Sequence, residues 1–315
     1  MILGIDIGGT KCAALLGDSS GKVHSRKSLL TETGKGPDAI LQDIIKLAKE
    51  LLLEQNIASG DLQGIGISCG GPIDSKEGIV FSPPNLPGWD AVPICSMFKH
   101  AFPDTPVVLE NDANATALAE WRWGAGKGTQ NMLFLTMGTG VGGGLILDGK
   151  LYRGTNDLAG ELGHQTILVN GPQCPCGKRG CLEALCSGPS IARLARESLQ
   201  YGRGKKLLEE AGGRAVDITA RHVIELAKKG DPFCITLLEE VGTYMGIGLS
   251  NLIMILNPER IVLGTIAVHA GDLLMNPIRK AIAEYTWKRS AAVCEVVPAA
   301  LGDSAQDLAA LSIIS

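Results

Sequence analysis

Residues 174 to 181 read CPCGKRGC, three cysteines within eight positions. Cys174 and Cys176 sit too close for easy bridging. A thioredoxin-type redox pair needs two residues between its cysteines, and this stretch has one. Three thiolates on a glycine-bearing turn instead supply most of a tetrahedral zinc shell. The fourth ligand is either Cys186, five residues on, or His164, ten residues before the first cysteine. A strand and return turn over 165–173 would bring that histidine back. The expectation is therefore structural zinc held by His164, Cys174, Cys176 and Cys181. Glu161 in ELGH and Glu183 in CLE flank these ligands. Two carboxylates on one rigid loop suit vicinal hydroxyls, which donate to charged acceptors; singly, each is an ordinary surface charge.

Two glycine-rich turns carry a second kind of chemistry. GIDIGGTK places Asp6 before Gly8 and Gly9, with Thr10 and Lys11 after them, and GTGVGG contains Gly138, Thr139 and Gly140. Glycines leave backbone N–H groups free to approach an anion. An aspartate at that point suits a Mg²⁺ shell, and the hydroxyl and amine suit phosphate oxygens. Each turn alone is also a plain tight hairpin. The G-x-G-x-x-G pattern at 138–143 is followed by a strand, LILDGKLY, and so lacks the helix that a dinucleotide site requires. GAGKGT at 124–129 has glycine where a P-loop needs Ser or Thr.

LENDANATA sets Asn111 and Asp112 between an apolar strand and an Ala-rich helix. Either residue caps that helix. Alternatively Asp112 is a general base that accepts a proton from a substrate hydroxyl during phosphoryl transfer.

The elements that must position these residues alternate along the first half of the 315-residue chain. Short apolar strands at MILGIDIGG, KCAALLGD, LQGIGISCGG and TPVVLEND run into glycines or polar residues, with another strand at KVHSRKSLL. PDAILQDIIKLAKELLLEQ predicts a helix with Pro37 in its first turn and Leu41, Ile44, Ile45, Ala48, Leu51 and Leu52 on one face. Later helices are expected at GPSIARLARESLQ, TARHVIELAKKG, PFCITLLEEVGTYMGIGLSNLIMILN and DLAALSIIS, with a strand at RIVLG. Each half opens with strand, glycine turn, strand, which suggests two α/β domains facing a central cleft. The boundaries expected are 1–118 plus 303–315 and 119–302.

Net charge of −4 gives no basic footprint for nucleic acid. No signal peptide opens the chain, and 241–258 is too short in continuously apolar residues to span a bilayer. A cytoplasmic protein without membrane or nucleic-acid partners is expected, its scattered cysteines acting as small buried hydrophobes.

Together, GIDIGGTK, LENDANATALAE, GTGVGGGLILDGKLYRG, AGELGH and CPCGKRGCLEALCSG resemble the ROK family of sugar kinases and sugar-responsive repressors. The resemblance implies an α/β, actin-like ATPase (ribonuclease H-like) fold and ATP-dependent phosphorylation of a hexose at its 6-hydroxyl. It implies Asp112 as base, and sugar contacts from Gly71, Asn85, Asn111, Glu161, His164 and Glu183. Thr10 and Thr139, with Asp6, Gly8, Gly9, Lys11, Gly138 and Gly140, would meet ATP and Mg²⁺. Gly264 would border the adenosine, although the family's second glycine is here Thr265. PNLPGW and the Gly70–Gly71–Pro72 turn look most like the glucokinase branch. N-acetylmannosamine, N-acetylglucosamine, fructose, mannose and allose kinases are the alternatives, and a homodimer or homotetramer is the expected assembly. A sugar-sensing regulator of the same family would need a DNA-binding module ahead of residue 2 and would often lack the base.

Overall fold

The computed structural model describes residues 1–314. Along the chain come β1 (Ile2–Ile7), β2 (Lys11–Gly17), β3 (Val23–Leu30), α1 (Pro37–Glu54), β4 (Gly64–Cys69) and a small pair, β5 (Ile73–Asp74) and β6 (Ile79–Val80). Next are α2 (Ile94–Ala101), β7 (Val107–Asn111), α3 (Asp112–Trp123), β8 (Met132–Leu135), β9 (Gly143–Leu147) and β10 (Lys150–Leu151). Helices then dominate: α4 (Leu182–Cys186), α5 (Gly188–Leu199), α6 (Lys205–Glu210), α7 (Ala220–Lys228) and α8 (Pro232–Leu256). The last elements are β11 (Arg260–Leu263), α9 (Ile266–Ala270), α10 (Asp272–Tyr285), α11 (Lys288–Ala291), β12 (Glu295–Pro298) and α12 (Ala305–Ser312).

The chain forms two compact units. The first comprises Met1–Gly128, Gly144–Gly160 and the residues from Ala300 onward, and the second comprises Thr129–Gly143 and Glu161–Ala299. The changeover falls at 128/129 where 118/119 was expected, so α3 lies in the first unit, which also takes in residues 144–160.

In the first unit the strand order is β3-β2-β1-β4-β7, antiparallel among β1, β2 and β3 and parallel from β1 through β4 to β7. All six residues of β4 are buried, as a strand covered on both faces should be. Edge strand β3 alternates exposed and half-buried residues, matching its polar HSRKS. On one face lies α1, whose Ile40, Leu41, Ile44, Ala48, Leu51 and Leu52 are buried, with Ile45 packed partly against the same core. On the other lies α12, which approaches closely because the strands beneath it carry glycine. A Cβ on Gly66 would collide with the Ala310 carbonyl oxygen, and one on Gly4 would stand 3.1 Å from the Ala310 Cβ.

The second unit holds the parallel trio β8-β11-β12. Its central helix α8 is buried at Leu237, Leu238, Val241, Met245, Leu249 and Ile253 among others. α10 fits against Gly242 and Gly246, where a Cβ would lie 2.7 Å from the Pro277 Cβ and 2.5 Å from the Ala281 Cβ. Among the described residues no helix is long and apolar enough to cross a membrane.

Candidate functional site

Parallel register aligns Ile7 with Cys69, and Cys69 with Asn111. The carboxyl ends of β1, β4 and β7 therefore deliver Asp6, the Gly70–Gly71 turn and Asn111–Asp112 to one edge of the first unit's sheet, where α/β proteins collect ligands. Asn111 is the N-cap of α3: its Oδ1 accepts the N–H of Ala113 at 2.9 Å and of Asn114 at 3.3 Å. Asp112 is the first residue of the helix, so the cap does not consume it. Its Oδ1 takes the Ala113 N–H, at 2.8 Å, and the residue is exposed. Surrounding protein nonetheless raises its pKa by desolvation, opposed by the Ala113 N–H.

Asp6 is perturbed in the same direction. Burial first, then the charges of Asp112 and Asp307, raise it from 3.8 to about 7, against lowering by Arg26 and Lys11. The turn after it closes through Gly8 N–H to the Lys11 carbonyl at 3.1 Å, leaving Thr10 and Lys11 exposed. The PNLPGW loop packs onto this turn: a Cβ on Gly9 would strike the Asn85 carbonyl oxygen and lie 2.8 Å from the Asn85 Cβ. Gly71 is similarly confined, since a Cβ there would lie 2.9 Å from the Asn111 Nδ2.

Two buried carboxylates behind Asp112 escaped the sequence reading. Glu110 and Glu120 are both fully buried. Glu110 pairs with Arg153, at 2.7 Å. Glu120 accepts backbone N–H groups from Ala125 at 2.8 Å and from Ala300 and Leu301 at 3.0 Å each. The signal was an acid inside an apolar strand, VVLEN, and another on the Ala-rich face of the following helix. GAGKGT is the stretch Glu120 fastens, in keeping with its rejection as a P-loop.

In the second unit the turn after β8 is closed by Thr136 N–H to Gly142 O at 3.0 Å and Gly138 N–H to Gly140 O at 2.9 Å. Gly188, opening α5, donates to the Gly138 carbonyl at 2.8 Å. Glu183 Oε2 accepts the Val141 N–H at 2.9 Å, and a Cβ on Gly140 would sit 2.6 Å from that oxygen. One oxygen of Glu183 thus braces the glycine turn, while its Oε1 lies 3.5 Å from the Cys174 sulfur. Gly264 donates its N–H to Leu135 O at 2.9 Å. Thr265, in place of the expected glycine, adopts φ 44° and ψ −93°, a region costly for a β-branched residue.

His164, Cys174, Cys176 and Cys181 converge, their ligand atoms all within 4.8 Å of one another. Cys176 and Cys181 sulfurs are 3.7 Å apart, and Cys174 Sγ is 3.6 Å from His164 Nδ1. Zn–S bonds of about 2.3 Å in a tetrahedron give S···S edges of about 3.8 Å, so the donor set and its spacing fit zinc. His164 Nε2 lies 3.7 Å from Glu161 Oε2. Cys186 is elsewhere, buried with its sulfur 3.5 Å from the Val241 carbonyl oxygen. The strand expected over 165–173 does not form. Turns and two isolated bridges, Thr166 to Cys181 and Gln173 to Arg179, fold the loop back instead, and His164 sits on a single helical turn, Leu162–His164. All nine cysteines are free thiols. An open groove of about 860 Å³ between α1 and α2, lined by Ile45, Lys49, Met97 and His100, shares no residue with either cluster.

The sequence profile of the ROK family matches residues 2–315. The chain is 34% identical to a glucokinase of Halalkalibacterium halodurans over 96% of its own length and 91% of the relative's. It is 30% identical to a xylose repressor of Bacillus spizizenii, spanning 99% of this chain and 76% of the repressor. The crystal structure of a ROK family glucokinase from Streptomyces griseus in complex with glucose and AMPPNP superposes with a TM-score of 0.80 at 31% identity, covering 98% of this chain and 97% of that one.

Proposed function

This chain belongs to the ROK family, and on that premise we propose that it is a cytoplasmic, ATP-dependent hexose kinase that phosphorylates the 6-hydroxyl of glucose. The observation that carries this reading is the division of labour at the start of α3. Asn111 supplies the cap, and Asp112 keeps a carboxylate for chemistry beside the carboxyl ends of parallel strands. A sensor without turnover has no use for an acid there that the cap leaves free.

In the proposed reaction Asp112 accepts the proton of the 6-hydroxyl as its oxygen attacks the γ-phosphorus of ATP. The bond from that phosphorus to the bridging oxygen of ADP breaks, and ADP leaves with the electron pair. Charge neutralisation and positioning carry most of the rate. Asp6, Gly8, Gly9, Thr10 and Lys11 in the first unit, and Gly138, Thr139 and Gly140 in the second, are assigned to phosphate and its cation. Mg²⁺ held at Asp6 through water would shield the phosphate charge. Gly71, Asn85 and Asn111, and in the second unit Glu161, His164 and Glu183, are assigned to the sugar hydroxyls. Glu183 would serve while also holding the Val141 N–H. Zinc would be held by His164, Cys174, Cys176 and Cys181, and would fix the loop carrying those acids.

The test is a coupled assay with ATP and Mg²⁺ against glucose, mannose, fructose, allose, N-acetylglucosamine and N-acetylmannosamine. Glucose should give the highest kcat/KM. ATP consumption with none of them would overturn the kinase reading, and a clear preference for another sugar would correct the substrate alone.

A further inference from the structure

We propose that Glu110 and Arg153 form a positioning pair that holds Asn111 and Asp112 where proton transfer needs them, an inference that rests on the kinase reading. Glu110 is the penultimate residue of β7 and is fully buried. Its Oε1 accepts the backbone N–H of Asn111 at 3.0 Å and the side-chain Nδ2 of Asn114 at 3.0 Å. Its Oε2 accepts both Nε and Nη2 of Arg153, at 2.8 and 2.7 Å. Four donors thus converge on one carboxylate, which fills its acceptor capacity and makes the charge tolerable in the interior.

The donors are not scattered. Asn111 immediately precedes the proposed base and Asn114 follows it by two positions, so a single group grips the chain on both sides of Asp112. Asn114 is itself hemmed in, since a Cβ on Gly144 would lie 3.2 Å from its Cα. The other end of the pair is also secured. Arg153 follows β10, and its carbonyl accepts the Ala159 N–H at 3.1 Å. Within that same loop Asp157 accepts the N–H of Ser75 at 2.8 Å and its hydroxyl at 3.0 Å. A fixed guanidinium therefore sets the carboxylate, the carboxylate sets the first turn of α3, and that turn aims Asp112. Glu110 holds Asn111 by its backbone N–H and leaves the side chain assigned to the sugar untouched, so loss of the pair should be read in turnover rather than in substrate affinity.

The test compares Arg153→Lys, which keeps the charge but loses the two-pronged contact, and Glu110→Gln, which keeps the shape, with the parent protein. Steady-state kinetics with glucose and ATP are measured alongside thermal melts. Misplacing a reacting group by about 1 Å costs roughly a hundredfold in rate. Arg153→Lys should accordingly lower kcat by roughly ten- to a hundredfold, with both KM values within about threefold of the parent and the melt little changed. Glu110→Gln should lower kcat further with the same split. A folded Arg153→Lys with kcat within twofold of the parent would overturn the pair while leaving the kinase reading intact. So would kcat losses that scale with raised KM values and a lowered melting point, which mark a purely structural contact. If Arg153→Lys fails to fold, the same criteria apply to Glu110→Gln, and failure of both to fold counts as the structural outcome. A parent that phosphorylates no sugar would sink the kinase reading itself.

Discussion

Asp6 near the end of β1 and Asp112 just after β7 stand one strand apart, and the charge of Asp112 helps to raise the pKa of Asp6. Asp112→Asn should abolish most turnover, at least a hundredfold by the usual worth of a positioned base, with melting temperature and nucleotide affinity close to the parent because Asn111 retains the cap. Retained activity in that variant would remove Asp112 from the chemistry. For Asp6 the prediction concerns pH. Its pKa rises from 3.8 to about 7 on folding, mainly through burial. The folded state therefore holds the proton more tightly. Its contribution is fully present below about pH 3.8 and is lost as pH climbs through 7, at up to roughly 1.4 kcal/mol per pH unit within that window. Asp6→Asn should gain stability relative to the parent between pH 5 and pH 7.5 while losing turnover. Denaturant melts at the two pH values check the first part, and parallel curves for the two proteins would contradict it. At this scale the sequence showed which residue types mattered but left Asp112 open between cap and base. Only the direction of the Asn111 side chain separates the two. Glu110 and Glu120 were illegible because burial of an acid depends on donors distant in sequence, Arg153 in one case and Ala300 and Leu301 in the other.

Thr265 and the cysteine loop show how far elements can be read in advance. Strands and helices with clear periodicity appear where expected, Pro37–Glu54 with its Pro at the start and its apolar stripe inward. The 165–173 segment does not, since paired strands need a partner ladder and this stretch finds only single bridges. The substitution at 265 was visible against the family pattern; its cost was not, because φ 44° is set by how the chain leaves β11 and enters α9. Thr265→Gly should therefore raise stability by about 1 kcal/mol, strain relief of 1–3 kcal/mol offset in part by glycine's unfolded-state entropy. A thermal melt unchanged or lowered would show that the threonine is held without strain. For the cysteine loop, purified protein should contain one zinc per chain, and Cys176→Ser should lower that content. Chelation should lower the melting temperature, because the free energy of binding a structural metal is folding free energy. A zinc-free protein with an unaltered melt would overturn the metal assignment.

Across the whole molecule, two α/β units and the order of their glycine turns were legible from the repeated strand, turn, strand pattern. The membership of each unit was not, because contiguity in sequence is a poor guide to which sheet a segment joins. α3 and α12 both belong to the first unit, although α12 follows the whole of the second in sequence. Residues from Ala300 onward matter most here, since α12 packs directly onto glycines of β1 and β4. That arrangement has a consequence for biosynthesis. Gly4 leaves the ribosome about 300 residues before Ala310, its packing partner, which at 5–20 residues per second is a wait of roughly 15–60 s. For that interval the part of the nascent sheet that α12 will cover lies bare, so the first unit should close late, and the young chain should be a client for chaperones until translation nears its end.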